Sequence, residues 1–394
     1  MSGSRAKHGP NVGAMLGIKI LVSSTIEVRM RVLFCWWTFE GYFADCWRAL
    51  ASRSGVEVSI IARRPEAGGV APHDPTVLRG LDATLYEESE LLRVKFWIDE
   101  IRSRRPDVVV LPGWVNPACV RAVTSRHLAG VPIVMASDRP WQGTLRQRLG
   151  RWRHRAYFRR VDRVIAAGER AATLARHLGI EASKITKGMF GFDMEKLGPC
   201  LARRSAGEWP RSFLFVGRYV PMKGVDVLGR AYKEYRAGVA NPWSLVCCGV
   251  GPRGRALIEA GAEDRGFVQP GEMPGIFAGA GAFVLPSVFE PWGCAMVEAA
   301  MAGLPLICTT EVGSGDELAQ EANSRIVRPG SVGELVKAMR WMHDRAAKLP
   351  AMGERSQQLA ASHSCERWAE RWEAVLHEAI GRRCGRAGSG ATVR

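Results

Sequence analysis

The chain has 394 residues, 47% of them hydrophobic and 24% charged, which supplies apolar surface for two ordinary cores and excludes a disordered or fibrous protein. Its 55 Lys and Arg against 39 Asp and Glu give a formal net charge of +16, which favours nucleotides, phosphorylated lipids, membrane surfaces or nucleic acid as partners without choosing among them. The ten cysteines form no CxxC pair and read as small buried hydrophobes of a reducing compartment. No run reaches the roughly 18 apolar residues of a transmembrane helix, and "GAMLGIKILVSS" is broken by Lys19 and lacks a small-residue cleavage site, so a cytoplasmic location is expected.

Residues 1–29 are expected to be a flexible extension, because "MRVLFCWW" from Met30 opens a strand at once. From there, apolar runs at 31–36, 56–61, 107–113, 131–137 and 163–168 alternate with helix-length segments, the pattern of a parallel sheet covered on both faces. This first Rossmann-like domain is assigned to 30–190. A Gly- and Pro-bearing stretch at 191–211 reads as a linker. The rhythm restarts with strands expected at 212–218, 243–249, 265–269, 281–287, 304–310 and 324–329, giving a second domain over 212–365. A helix over 366–382, with Trp368, Trp372, Val375 and Ile380 on one side, is expected to return toward the first domain, and 383–394 to be a disordered tail. The fold class is α/β with two doubly wound domains.

The segment "FVLPSVFEPWGCAMVEAAMAGLPLI" places two glutamates, Glu290 and Glu298, in an apolar run after a strand. Ligands of open parallel sheets bind where strands exit into helices. Pro291 suits a first helical position, and the helix it would start offers first-turn N–H groups near Gly293, Cys294 and Ala295 to anionic oxygens. A helical rise over eight residues separates the glutamates by roughly 12 Å, the span from sugar to ribose in a nucleotide diphosphate sugar. The plain alternative is that Glu290 caps the helix and Glu298 faces solvent or an arginine. In "FVGRYVPMKGVDVL", Arg218 and Lys223 flank the loop after Gly217, and a fork plus a mobile point charge suits a diphosphate leaving group.

With these motifs, and with "CCGVGP" carrying Gly249, "GFVQPGEMPGIFAGAGAFVLPS" and "VGSGDEL" following in order, the sequence resembles the retaining glycosyltransferases of the GT-B fold, family 4. The resemblance implies two Rossmann-like domains facing each other across a cleft. It also implies that Arg218 and Lys223 grip the donor diphosphate, Glu290 meets sugar hydroxyls, and Glu298 binds the ribose. Amides near Cys294 and Ala295 would face the phosphates, and backbone around Val268 and Gln269 would hold the base. It implies a nucleotide diphosphate sugar as co-substrate, no cofactor and no bound metal, in keeping with a chain that offers no DxD-type pair or His cluster at ligand spacing. The acceptor is expected to be a cell-surface polysaccharide or lipid-linked glycan.

On the acceptor side the first domain departs from the family pattern. Its first turn, "WWTFEGYFADCWRAL", offers only Gly41, and "ASDRPWQG" places Asp138 and Arg139 where a histidine is common in the family. Trp36, Trp37, Tyr42 and Trp47 read as packing beneath the loop in preference to a sugar- or lipid-facing surface, and Asp193 reads as structural. Nine arginines between Arg139 and Arg163, with Leu145, Leu149, Trp152 and Ala156 at helical spacing, fit either a solvated helix or one docked on an anionic bilayer at the inner membrane face. A sugar-nucleotide epimerase or a phosphorylase shares the fold without its catalytic constellation being visible. A nucleic-acid-binding protein fits the charge but leaves the glutamates unexplained, so nucleic acid is not an expected partner.

Overall fold

Valine, isoleucine and leucine fill the central strands of two separate parallel sheets, in a computed structural model that describes residues 29–37, 41–65 and 75–389. The expected extension lies outside these residues apart from its last position, as do residues 390–394 of the expected tail. The first sheet comprises β1 (Met30–Cys35), β2 (Val56–Arg63), β3 (Asp82–Tyr86), β4 (Val108–Pro112), β5 (Ile133–Ser137), β6 (Arg163–Ala166) and β7 (Ile185–Lys187), in spatial order β3-β2-β1-β4-β5-β6-β7. The second comprises β8 (Ser212–Val216), β9 (Ser244–Cys248), β10 (Glu263–Asp264), β11 (Ala282–Leu285), β12 (Leu306–Thr309) and β13 (Ser324–Val327), in order β10-β9-β8-β11-β12-β13. Strand order reverses between β1 and β4 and again between β8 and β11, so each sheet opens a crevice beyond its carboxyl edge at those pairs.

Three strand assignments differ from the sequence reading. Residues 265–269 are not a strand; the edge is the two-residue β10, whose Glu263 and Asp264 are exposed and pair with Val246 and Cys247 of β9. β3 and β7 were not expected, and both are edge strands without the continuous burial of β4 or β5. An edge strand needs only one paired neighbour and carries a weaker apolar signature.

The 191–211 stretch is packed, not open. It forms helices Met194–Leu197 and Pro199–Ser205, and buried Arg204 donates to the carbonyls of Phe277, Ala280, Ala302 and Gly303. Asp193 caps the first of these helices, accepting from the N–H groups of Glu195 and Lys196. The chain crosses between the sheets twice side by side. The Phe192 N–H donates to His363 O at 2.9 Å and the Cys365 N–H to Phe192 O at 3.0 Å. The final helix, Cys365–Ser389, then lies on the first domain: Trp368 Nε1 donates to Met189 O at 2.6 Å and the Trp372 ring sits 5.6 Å from Phe34. It continues past residue 382, so 383–389, expected as disordered tail, are helical.

Trp36 and Trp47 are buried around Phe43, and Tyr42 packs on Phe190 and Phe192, so these four aromatics after β1 are packed into the core. Of the nine cysteines from Cys35 to Cys365 only Cys294 is not fully buried, and none of the nine is in a disulfide.

Candidate functional site

The loops leaving β8 and β11 are pressed together at the carboxyl edge of the second sheet. Val288 and Phe289 donate their N–H groups to Met222 O at 2.9 and 3.2 Å. Gly224 makes this approach feasible: its φ is 70°, and a Cβ there would lie 2.0 Å from Pro286 O, so a side chain is excluded by both backbone conformation and space. The short turn Pro221–Lys223 thereby delivers the Lys223 ammonium onto the carboxylate of Glu290, which is only 7% exposed. Ser287 Oγ donates to the same oxygen at 3.4 Å. The backbone of Glu290 is fixed from the other side, its N–H donating to Glu311 O at 3.3 Å and its carbonyl accepting from the Gly313 N–H at 3.1 Å.

That backbone pairing moves the helix start. Pro291 was expected at the first helical position, but residues 290–292 are held by the 311–313 strap and the helix runs Cys294–Met301. Its N-cap is Gly293, with φ 99°, where a Cβ would crowd Val312, Glu290 and Ser314. The continuous helical rise from Glu290 to Glu298 therefore does not apply. The first turn still carries the amides of Cys294 and Ala295 at this sheet edge, where helix N–H groups lack intrahelical acceptors.

Glu298 sits one turn further on, partly buried, and its carboxylate has no hydrogen-bond or ion-pair partner among the described residues. Burial, and secondarily the Asp45 carboxylate, push its pKa up to about 7. Asp45 belongs to the first domain's helix Gly41–Ala51 and is itself paired with Lys196 at 2.8 Å and Arg48 at 3.0 Å. Arg218 is exposed and its guanidinium has no partner among the described residues. Gly249 abuts Gly217, a Cβ on it falling 1.9 Å from Gly217 O, and its N–H donates to Gly266 O at 2.7 Å. This draws the loop after β10, with partly buried Val268 and Gln269, beside the loops after β8 and β9.

Gly217, Arg218, Lys223, Gly249, Val268, Gln269, Glu290, Gly293, Cys294, Ala295 and Glu298 thus share one edge of one sheet. The acceptor-side candidates divide. Gly41 faces this edge, a Cβ on it lying 2.9 Å from Pro270 Cβ. Asp138 directly follows β5, and its carboxyl is raised above the ordinary range by burial, with Glu290 adding to the rise and Arg139 opposing it. Arg139 is exposed, with its guanidinium 6.0 Å from the Trp114 ring centre.

Sequence reasoning missed the contacts that close the crevice. Arg170 donates two bonds of 2.7 Å to Asp316 and one of 2.9 Å to Thr310 O. Trp292 packs on Gly168 and stacks near Phe190 at 6.3 Å. Among the described residues no group of three or more His, Cys, Asp or Glu could hold a metal ion.

Residues 40–186 match the family described as Glycosyl transferase 4-like domain, and residues 210–345 match Glycosyl transferases group 1. Over 223 residues the chain is 28% identical to D-inositol 3-phosphate glycosyltransferase 2 of Catenulispora acidiphila, covering 51% of this chain and 52% of that one. It is 30% identical over 145 residues to the 2-deoxystreptamine glucosyltransferase of Streptomyces kanamyceticus, covering 35% of this chain and 37% of the relative. The matched segments therefore span about half the length of the first of these relatives and less of the second. Its fold is similar to that of Anabaena HepE, solved in complex with UDP and glucose, with a TM-score of 0.70 at 16% identity over 89% of this chain and 100% of that one.

Proposed function

We propose that this chain, which belongs to the group 1 glycosyltransferases of the GT-B fold, moves a sugar from a nucleotide diphosphate donor to a cell-surface polysaccharide or lipid-linked glycan acceptor, with retention at the anomeric carbon and without a metal. The observation that carries this reading is the junction of the β8 and β11 loops. There Lys223 meets Glu290 at the tip of the Cys294–Met301 helix, and the unpartnered carboxylate of Glu298 lies one turn beyond.

In this reading the diphosphate lies over the helix tip. Arg218, free to swing, forks onto phosphate oxygens, and Lys223 turns from Glu290 to the oxygen that gains charge as the sugar leaves. Glu290 then takes sugar hydroxyls, and the amides of Cys294 and Ala295 meet the phosphates. Glu298 accepts from the ribose hydroxyls, and the backbone of Val268 and Gln269 holds the base. Gly217, Gly249 and Gly293 keep the approach clear of side chains. The UDP bound by the structural neighbour supports a nucleotide donor. The first domain takes the acceptor, with Gly41, Asp138 and Arg139 lining that side. The enzyme works from the cytoplasmic face of the membrane, and no described helix is long and apolar enough to cross one.

A thermal-shift panel of UDP, GDP, ADP and TDP sugars, followed by donor hydrolysis with each stabilising sugar, tests this directly. At least one donor should raise the unfolding temperature. Arg218→Ala and Lys223→Ala should each lower turnover on the order of a hundredfold by weakening stabilisation of the departing diphosphate. Full turnover in both variants, or no stabilising donor, would overturn the reading.

A further inference from the structure

The arginine-rich segment after β5 folds as two short helices, Leu145–Arg153 and Arg155–Arg160, with a break at His154. The first buries no residue at all. Its apolar stripe is turned outward: Leu145 is 71% exposed, Leu149 58% and Trp152 73%. A soluble helix with that spacing ordinarily faces its stripe inward, and three large apolar side chains in one exposed row mark a surface that something covers.

The arginines around the stripe fall into two groups. Arg160 and Arg163 serve the fold, Arg160 donating to the carbonyls of Leu128, Ala129 and Val131, and Arg163 to Ser183 O and Thr186 while pairing with Glu378. Arg146, Arg148, Arg151, Arg153, Arg155 and Arg159 are exposed, and among the described residues none has an ion-pair or side-chain hydrogen-bond partner. No acidic residue lies between 139 and 161 to neutralise them. Beside Trp152, a cavity of about 370 Å³ is lined by Arg151, Arg155 and Arg159 over an apolar floor of Phe158 and Leu178. Arg151 is laid across Gly179, with Nε 3.4 Å from where a Cβ would stand.

We propose that Leu145, Leu149 and Trp152 insert into the interfacial layer of an anionic bilayer, and that the cavity between Arg151, Arg155 and Arg159 takes the phosphate of one lipid headgroup. An apolar row flanked by unpaired cations is the arrangement that binds a charged interface, because the row gains from leaving water while the cations meet lipid phosphates. Nucleic acid would satisfy the arginines but leave Leu145 and Leu149 in water. The proposal deepens the membrane-side reading of the acceptor given above and rests on it. Because the segment follows Asp138 within a few residues, docking here sets the acceptor edge of the crevice against the lipid surface.

Co-sedimentation with vesicles tests this without any donor sugar, so its outcome is independent of the transferase assignment. The full chain should sediment with vesicles of phosphatidylcholine plus phosphatidylglycerol and remain in solution with phosphatidylcholine alone. Replacing Leu145, Leu149 and Trp152 by Ser should abolish binding with no loss of thermal stability, since all three side chains are exposed. Arg151→Gln, Arg155→Gln and Arg159→Gln together should weaken it on the order of a hundredfold. The corresponding lysine variant keeps the charge but loses the forked geometry, so binding midway between the glutamine variant and the native chain would support a headgroup site, and lysine binding equal to the native chain would overturn it. Equal binding to both vesicle types, native binding in the serine variant, or binding of an RNA oligonucleotide with no vesicle binding would overturn the docking surface.

Discussion

Lys223 and Glu290 neutralise each other where two loops meet, and the side chains are only 17% and 8% exposed. Removing the lysine strands a buried carboxylate, so Lys223→Ala should cost about 2 kcal/mol in urea unfolding, less than a fully buried pair because the ammonium keeps some water. Lys223→Ala combined with Glu290→Gln should recover part of that loss. Glu298 makes a prediction of opposite sense. Its ordinary value of 4.5 is raised to about 7 in the folded chain. Below about pH 4.5 the carboxyl is protonated in both states and contributes nothing. As pH rises toward 7 the unfolded chain sheds the proton while the folded chain retains it, so stability falls through that window and is flat above it. The full penalty is about 3 kcal/mol, so Glu298→Gln should be more stable than the native chain at pH 8 and equal to it at pH 4, measured by denaturant midpoints. Donor binding should be lost in the same variant if the carboxylate accepts from ribose. Arg218, Lys223, Glu290 and Glu298 could be singled out in the sequence because charges at fixed spacing interrupt apolar strand exits. Arg170 and Asp316 could not, because each looks like an ordinary helix-surface charge until the fold brings the two helices together.

At the scale of elements, the loop after β8 depends on one backbone conformation. Gly224→Ala must both hold φ 70° and push Pro286 O away from 2.0 Å, so it should cost about 2 kcal/mol or more and detach Lys223 from Glu290. Thermal unfolding would read the first effect and donor turnover the second, and a variant with native values in both would mean the loops are not packed as described. The strands at the centres of both sheets were legible because burial on two faces demands unbroken apolar runs, as in "VVVLP" and "AFVL". The edges were not: β10 is Glu-Asp, paired through its backbone with side chains in solvent, and the apolar Phe267 and Val268 nearby suggested a strand that is a loop. Likewise Pro291 signalled a helix start correctly in kind, but the pairing of Glu290 with the 311–313 strap delays it to Cys294. Local sequence carries no record of that long-range pairing. The spacing of Leu145, Leu149 and Trp152 specified a helix stripe, while its outward direction depends on what the first domain leaves uncovered.

For the whole molecule, two of the contacts between the domains differ in kind and in what they can do. One is apolar and central: Trp292, 3% exposed, packs on Gly168, Phe190 and His363, and its Nε1–H is buried without a hydrogen-bond partner among the described residues. The other is polar and peripheral, the forked pair between Arg170 and Asp316, whose side chains are 30% and 43% exposed. Such a pair is worth about 1 kcal/mol or less to global stability, too little to move an unfolding transition but enough to shift an open–closed equilibrium about fivefold. Asp316→Ala should therefore leave the unfolding temperature nearly unchanged and widen the distribution of distances between fluorophores placed one on each domain. Trp292→Ala should lower stability by about 3 kcal/mol, because the indole bridges both cores. If Asp316→Ala leaves the distance distribution as it is in the native chain, the domain angle is held without the charged latch, by the Trp292 hub together with the paired crossing at Phe192 and Cys365 and the Lys196–Asp45 pair.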